Sequence, residues 1–275
     1  MTPEHVERYL VKEVHEEDED GGTYGVFDLD TGRRHVIKVR GPSCPPEIVE
    51  ALRREFTIQS AVRHPNVAYA SRCFTLPDGS EVLVLDHATA GALSDWMTGA
   101  PVATGLRRAV LAGVLDGLGA AHAEGYVHRD LKPENVLIAS GRDGITVQVA
   151  DFGMAKDLAE TAWVPAIGLS AHFTFLGTPG YMAPEQMADP ASVDRRADLY
   201  SVGCLLYEML VGHLPADPDT PGYERRVARG EWIRPAGMAP WALDLLEVLL
   251  ATDRSRRPAD CAAVRASLVA AGELR

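Results

Sequence analysis

Apolar and polar residues alternate along three segments near the start of the chain. A period of two is typical of strands that bury one face. The segments that show it are Tyr9–Val14, Thr23–Leu29 and Arg34–Val39. The turn-forming residues Asp30-Thr31-Gly32 separate the last two. A fourth segment, Glu81–Ala88, is largely apolar and predicts a further strand. The pattern therefore indicates a group of strands in the first third of the chain.

Helical periodicity dominates the rest of the chain. Apolar residues at helical spacing predict one helix over Pro45–Val62, whose prolines suit a first turn, and another over Leu106–Glu124, which ends at Gly125. The segment Asp194–Arg275 is mostly helical by the same criterion. Short apolar runs between these helices predict short buried strands: Gly125–Val127, Val136–Ile138 and Ile145–Val149.

A polar loop, His128–Asn135, lies between two of these short strands. Asp130 can accept a proton from an attacking hydroxyl, and Lys132 can place positive charge against a phosphate. Asn135 can supply a neutral oxygen to a magnesium ion, and a second carboxylate, Asp151, follows the third short strand. Because phosphoryl transfer depends mainly on alignment and charge neutralisation, these side chains predict a phosphoryl-transfer site.

The loop around Asp130 and the sequence Asp151-Phe152-Gly153 resemble the catalytic loop and metal motif of Hanks-type (eukaryotic-type) serine/threonine protein kinase domains, as found in bacteria. The resemblance implies an α+β, bilobal protein kinase-like fold. Residues 1–86 would form a small lobe with an antiparallel sheet and one regulatory helix. Residues 87–275 would form a larger, mainly helical lobe, so that the whole chain, 1–275, would be one kinase domain.

The implied activity is transfer of the γ-phosphoryl of ATP to serine or threonine hydroxyls of proteins, with autophosphorylation of the activation segment. Asp130, Lys132 and Asn135 would be the catalytic residues. Asn135 and Asp151 would hold Mg²⁺, with Mn²⁺ as an alternative ion. A kinase acting on small molecules fits less well, because Ala183-Pro184-Glu185 matches the protein-directed type.

The same resemblance implies a nucleotide site. Lys38, in Val36-Ile37-Lys38, would bind the α and β phosphates, with Glu55 as its ion-pair partner. The backbone of Asp86 and Ala88 would hydrogen-bond the adenine edge. The apolar side chains expected to sandwich the adenine ring are Val14, Val36 and Leu137.

Several positions outside the loop are assigned supporting roles by the resemblance. Thr178 is expected to hydrogen-bond Asp130 and Lys132, and Ser170 and Thr174 are the candidate phosphorylation sites.

Two further charged positions belong to the helical part. Asp198 precedes the apolar segment Leu199–Val211, where it is expected both to cap a helix and to hold the catalytic-loop backbone. Arg257 is expected to pair with Glu185.

The segment His15–Gly22 departs from the family pattern, because five consecutive acidic residues, Glu16–Asp20, stand where a glycine-rich phosphate loop is expected. Carboxylates repel phosphates unless they point to solvent. The alternative function is therefore a pseudokinase-like binding or signalling module with impaired use of ATP.

Composition narrows the class of partner. The net charge of −12 opposes a nucleic-acid surface, which has to neutralise many phosphates. No apolar run approaches the roughly 20 residues of a membrane helix, and the start of the chain lacks a secretory pattern. The sequence therefore predicts a cytoplasmic protein without a membrane segment in this chain. Homodimerisation through the small lobe, which occurs among bacterial relatives, is an expectation from the resemblance.

Overall fold

The computed structural model describes residues 8–141, 144–159 and 177–275. Its N-terminal part is a five-stranded antiparallel sheet with the strand order β1-β2-β3-β5-β4. The strands are β1 (Tyr9–Asp18), β2 (Gly21–Asp28), β3 (Arg34–Arg40), β4 (Ala70–Thr75) and β5 (Glu81–Asp86). The four predicted strands are all present, and β1 continues beyond Val14 through His15 and three acidic residues, Glu16–Asp18.

The two faces of this sheet bury different side chains. Ile37 and Val39 of β3 lie in a core cluster on one face. Lys38 lies between them in sequence, so its side chain lies on the opposite face. That face packs against the helix α1 (Pro46–Ala61), where Leu52 contacts residues of β4 and β5 in a second cluster. The alternation of β3 therefore directs Lys38 toward α1.

The C-terminal part is mainly helical. Its helices are α2 (Thr104–Ala123), α3 (Pro184–Ala188), α4 (Arg196–Val211), α5 (Tyr223–Ala228), α6 (Pro240–Leu249) and α7 (Cys261–Ala270). Short 3-10 turns occur at Leu93–Trp96, Pro133–Asn135, Pro190–Ser192 and Arg254–Arg256. Nearly every residue of α4 is buried, so this helix forms the centre of the helical core. In the described part of the chain, no helix is long and apolar enough to cross a membrane.

Four short strands form two antiparallel pairs on this helical part. They are β6 (Tyr126–Val127), β7 (Val136–Gly141), β8 (Gly144–Val149) and β9 (Lys156–Asp157), with β6 paired to β9 and β7 to β8. Helix α2 approaches the segment before β4 closely at Gly117, where a side chain would meet the Asn66 carbonyl oxygen at 2.3 Å. Asn66 in turn donates from its side-chain nitrogen to the Val147 carbonyl at 2.7 Å, which ties β8 to this segment.

The antiparallel sheet with one helix, followed by a helical part, confirms the predicted α+β kinase-like fold. One local expectation was wrong in detail. Asp198 does not cap α4 but lies in its first turn, fully buried, and the residue before the helix, Arg195, provides no side-chain cap. Burial of Asp198 reflects contacts with the loop described below, which a cap at the helix surface could not make.

Arg257 and Glu185 form the expected ion pair across the helical part. The guanidinium donates to both carboxylate oxygens at 2.6 and 2.8 Å, and it also donates to the carbonyls of Arg196 and Ala251. The Arg257 side chain is 0% exposed and that of Glu185 is 12% exposed. Each of the three guanidinium nitrogens of this buried cation therefore donates to an acceptor.

We expect Arg257→Met to lower the free energy of unfolding by about 3–5 kcal/mol, because it leaves the Glu185 carboxylate without its buried partner. Arg234→Met is the matched control. Arg234 also donates to both oxygens of a carboxylate, that of Glu247, but the two side chains are 47% and 48% exposed. Its loss should cost about 1 kcal/mol or less. Equal losses for the two variants in urea denaturation would contradict this difference between buried and exposed pairs.

Candidate active site

The polar loop after β6 is held in place by the buried carboxylate of Asp198. Its Oδ2 accepts the His128 N–H at 2.9 Å, and its Oδ1 accepts the Arg129 N–H at 2.8 Å. His122 Nε2, at the end of α2, lies 2.7 Å from Oδ2. Burial alone would raise the pKa of the Asp198 carboxyl, but these hydrogen bonds and the adjacent histidines hold it below its usual value. The loop is thus anchored by a charged group from the core helix α4.

Two residues next to the reactive side chains adopt left-handed backbone conformations. Arg129 has φ of 67° and Asp151 has φ of 63°. For residues other than glycine this costs about 1–2 kcal/mol each. Neighbouring hydrogen bonds hold Arg129 in this state, since its carbonyl accepts from Gln186 Nε2 at 2.7 Å and its Nε donates to the Met154 carbonyl at 2.7 Å. The surrounding fold therefore supports a strained loop at the predicted site.

His128 stabilises the loop from its buried side. It is fully buried, its Nε2 lies 2.9 Å from the Ala150 carbonyl, and its Nδ1 accepts the Asp130 N–H at 3.2 Å. Its ring packs edge-on against Phe152, with 4.6 Å between the ring centres. Because both ring nitrogens are used within the protein, this histidine is not positioned to accept a proton from a substrate.

Asp130, Lys132 and Thr178 form a triangle of polar contacts. The Thr178 hydroxyl donates to Asp130 Oδ1 at 2.8 Å and accepts from Lys132 Nζ at 2.8 Å. Lys132 Nζ also lies 3.4 Å from Asp130 Oδ2. The expected bonds of Thr178 to both residues are confirmed. The triangle places a carboxylate and a cation side by side at the surface of the loop.

Asn135 is joined to the same loop from its other end. Its amide nitrogen donates to the Asp130 carbonyl at 2.8 Å and to Asp130 Oδ2 at 3.3 Å. This orientation leaves the amide oxygen as the acceptor. The antiparallel pair β7–β8 places Asn135, just before β7, beside Ala150, just after β8, and the Ala150 N–H donates to the Asn135 carbonyl at 2.9 Å. Asp151, the next residue, is thereby brought to the same end of the hairpin.

The donors at this end suit a hard divalent cation. The Asn135 amide oxygen and the Asp151 carboxylate are oxygen ligands of the kind that Mg²⁺ and Mn²⁺ take in proteins. The Asp151 side chain is 42% exposed, so one of its faces is open to the cleft. Burial works against ionisation of Asp151, but Lys38 and other nearby cations keep the pKa of its carboxyl below the usual value. The carboxylate is therefore charged and can coordinate a cation.

Lys38 reaches from the sheet to both α1 and Asp151. Its Nζ donates to Glu55 Oε1 and Oε2 at 2.9 and 2.8 Å, and it lies 3.5 Å from Asp151 Oδ1. Burial would lower the pKa of the Lys38 ammonium, but the carboxylates of Asp151 and Glu55 outweigh it and raise the pKa above its usual value. The structure thus joins the predicted pair, Lys38 and Glu55, and extends it to Asp151.

The residues predicted at the adenine edge lie where β5 ends. Asp86 is the last residue of β5, and Ala88 is two residues further on. The Asp86 N–H donates to the Tyr69 carbonyl at 3.0 Å, so the Asp86 backbone could contact a ligand only by accepting a hydrogen bond at its carbonyl oxygen. Val36 pairs with Leu85 on the same sheet face as Lys38. Leu137 lies on β7 and forms an isolated antiparallel β-bridge with Ala92.

The expectation for Val14 was wrong. Val14 pairs with Tyr24, which pairs with Ile37, so its side chain lies on the face opposite Lys38, and it is 55% exposed. The cause is an irregular β1, whose pairing with β2 shifts between Val11 and Glu13 and again between Val14 and Glu16. Each shift inserts an extra residue and reverses which side chains face the cleft.

Sequence reasoning also missed two supporting residues, His122 and Gln186. His122 follows Leu118 by one helical turn on the buried side of α2, which was the available signal for a buried polar contact. Gln186 carries no such signal, since its partner, the Arg129 carbonyl, is distant in sequence. The candidate phosphorylation sites Ser170 and Thr174 lie outside the described residues.

We expect Asp198→Asn to lower the free energy of unfolding by about 3 kcal/mol or more, because an amide cannot serve the loop N–H groups as a buried carboxylate does. Hydrogen exchange at the amides of His128 and Arg129 should accelerate as well. Asp194→Asn is the control. Asp194 accepts the Arg196 N–H at the start of α4 and lies 3.7 Å from Arg254, with the two side chains 39% and 38% exposed, so its loss should cost about 1 kcal/mol or less. Unchanged exchange at the two loop amides would contradict the anchoring role.

Comparisons with known proteins agree with this geometry. A model of the protein kinase domain matches residues 19–269. Serine/threonine-protein kinase pkn2 of Myxococcus xanthus is 34% identical over 269 residues, which cover 91% of this chain and 31% of that protein. Pkn1 of the same organism is 39% identical over 198 residues, which cover 71% of this chain and 27% of that protein.

Serine/threonine-protein kinase PknL of Mycobacterium tuberculosis is 40% identical over 171 residues, which cover 60% of this chain and 40% of that protein. The chain thus spans well under half the length of these curated relatives. Nothing in the matches supports a pseudokinase. The expected resemblance is confirmed, and the chain belongs to the protein kinase family, within its Hanks-type serine/threonine branch.

Proposed function

We propose that the chain transfers the γ-phosphoryl of ATP to serine or threonine hydroxyls of protein substrates. The observation that carries the proposal is the triangle of Asp130, Lys132 and Thr178, in which a carboxylate, a cation and a hydroxyl lie within 2.8–3.4 Å of one another. A carboxylate beside a cation is what transfer to a hydroxyl requires, because one accepts a proton while the other offsets charge on the phosphoryl oxygens.

In this proposal Asp130 Oδ2 takes the proton of the attacking hydroxyl. Oδ1 already accepts the Thr178 hydroxyl, which fixes the rotation of the carboxylate. The substrate oxygen forms a bond to the γ-phosphorus while the bond to the bridging oxygen of ADP breaks. Lys132 Nζ, 3.4 Å from Oδ2, neutralises charge on the transferring group. Asn135 steadies the carboxylate through its amide nitrogen, which lies 3.3 Å from Oδ2.

The proposed metal is Mg²⁺, with Mn²⁺ as the alternative ion, held by the Asn135 amide oxygen and the Asp151 carboxylate. Mg²⁺ in phosphoryl-transfer sites takes one or two carboxylates and completes its coordination with substrate phosphates and water. When bound, such an ion offsets phosphate charge and aligns the phosphates for transfer. The strained backbone at Asp151 supports this role, because strain of this kind clusters at functional sites.

The nucleotide is proposed to lie between the sheet and the loop. Lys38, held by Glu55, would contact the α and β phosphates. The Asp86 carbonyl and the Ala88 N–H would receive the adenine edge, with Leu137 below the ring. The proposal treats residues 1–86 as the smaller lobe and 87–275 as the larger one.

The proposed substrates are proteins, and they include the chain's own activation segment. We place the activity in the cytoplasm. We also propose that the chain forms a homodimer, in which one copy phosphorylates the other. Analytical ultracentrifugation, combined with mixing of active and inactive copies carrying different tags, tests both the assembly and transfer between copies. Label that appears only on active copies would contradict transfer between copies.

Asp130→Asn should reduce phosphoryl transfer by at least about a thousandfold, because the amide cannot accept the proton and general-base catalysis and alignment are lost together. Incorporation of γ-labelled phosphate into protein measures it, and thermal unfolding should remain close to that of the wild type. Asp95→Asn is the control, since Asp95 accepts only the Ala92 N–H in an exposed turn. Retained autophosphorylation in Asp130→Asn would refute the assignment of the base.

ATP with Mg²⁺ should raise the melting temperature more than ATP with a chelator, because ligands that bind only the folded state stabilise it. Asp151→Asn should abolish the difference between the two conditions, since it removes the metal's carboxylate. Asp130→Asn should keep the difference. Stabilisation of Asp151→Asn that is as dependent on Mg²⁺ as that of the wild type would contradict the proposed metal site.

A further inference from the structure

Strand pairing places Glu16 and Glu17, the first two of the five acidic residues Glu16–Asp20, on opposite faces of the sheet. Glu16 pairs with Thr23, and Thr23 pairs with Lys38 on the next strand. Directly paired residues place their side chains on the same face of a sheet. Glu16 therefore lies in one row with Lys38, on the face from which Lys38 reaches Glu55 and Asp151.

Glu17 lies on the opposite face and is committed there. It pairs with Gly22, and Gly22 pairs with Val39, a residue of the core on the far side of the sheet. The buried Tyr24 hydroxyl donates to Glu17 Oε1 at 3.0 Å. Burial, together with this carboxylate, raises the pKa of Tyr24 to about 12, so its hydroxyl stays a donor at neutral pH.

Two other carboxylates near this row, those of Asp18 and Glu13, already have partners within the hairpin. Asp18 accepts the N–H groups of Asp20 and Gly21, both at 2.9 Å, and so closes the tight turn between the strands. Glu13 lies on the same face in the neighbouring row, which contains Val36, and its carboxylate lies 3.9 Å from His15 Nδ1. Glu16 differs from these residues. It is exposed, and no hydrogen bond or ion pair within residues 8–141, 144–159 and 177–275 holds its carboxylate.

We propose that Glu16 lowers the affinity for the nucleotide, by presenting an unpaired carboxylate to the phosphates that Lys38 binds. The proposal rests on the proposed function, since it concerns the same nucleotide. Adjacent strands are about 4.8 Å apart, so Glu16 stands two strands, about 10 Å, from Lys38 at the backbone, within reach of a long side chain. Phosphates drawn to Lys38 therefore also approach Glu16.

The proposed repulsion between the Glu16 carboxylate and the nucleotide phosphates has two measurable consequences. A repulsion felt equally in the bound state and the transition state weakens binding without slowing the chemical step, so it appears in KM for ATP and not in kcat. Salt screens it, because the Debye length is about 10 Å at 0.1 M and about 3 Å at 1 M ionic strength.

Glu16→Gln should lower KM for ATP about five- to tenfold at low salt, the size expected for one partly solvated charge pair, and leave kcat within about twofold. Glu16→Lys should lower KM further. Glu17→Gln is the matched control, since it removes the same charge one residue away on the opposite face, and its KM should stay within about twofold of the wild type. The dissociation constant of a non-hydrolysable ATP analogue, measured by calorimetry, should follow the same order. At about 1 M salt the differences among the variants should largely vanish.

Equal changes in Glu16→Gln and Glu17→Gln would overturn the proposal, because they would show an effect of net charge without dependence on the face. Unchanged binding in Glu16→Gln would overturn it as well, while leaving the proposed kinase activity intact. Failure of the wild type itself to bind nucleotide would instead refute the proposed function and this inference with it.

Discussion

The buried carboxylate of Asp198 is the interaction on which the site depends. It receives two backbone N–H groups of the loop and the His122 ring at once, from the first turn of α4. A carboxylate in such a place is costly unless it is fully hydrogen-bonded, and here three donors satisfy it. The loop is consequently fixed relative to the helical core, and Arg129 is held in a backbone conformation that it would not adopt alone.

The sheet contributes its part of the site through a second buried charge. Lys38 leaves a strand whose neighbouring residues are core hydrophobics, and it crosses to Glu55 on α1 and to Asp151 after β8. One ammonium therefore links the sheet, the helix α1 and the hairpin β7–β8. Because its interactions are charged and partly desolvated, a change in the position of α1 alters the charge balance around Asp151 directly. The position of α1 and the charge environment of the Asp151 carboxylate are coupled for this reason.

The sequence carried enough local information to predict most elements and many of the contacts. The loop His128–Asn135 could be expected from its polar residues between predictable strands, and the Thr178 bonds and the Lys38–Glu55 pair from the resemblance to the kinase motifs. The Arg257–Glu185 pair was expected by resemblance and found.

The remaining features depend on irregularities and on distant contacts that local patterns do not encode. The pairing shift between Val11 and Glu13 turned Val14 to the face opposite Lys38, and the second shift, between Val14 and Glu16, placed Glu16 on the face of Lys38. The local pattern predicted only a helix cap at Asp198; its contact with the loop amides, some 70 residues earlier in the chain, could be expected only from the resemblance. Gln186 was missed for the same reason, since only the folded chain brings it to the Arg129 carbonyl.

The most direct test of the central claim is an experimental structure of the chain with Mg²⁺ and a non-hydrolysable ATP analogue. We expect one metal ion bound by the Asn135 side-chain oxygen and the Asp151 carboxylate, with Lys38 at the α and β phosphates and Asp130 facing the γ-phosphate. A nucleotide bound elsewhere, or a metal whose ligands exclude both Asn135 and Asp151, would contradict the claim that these side chains form one site.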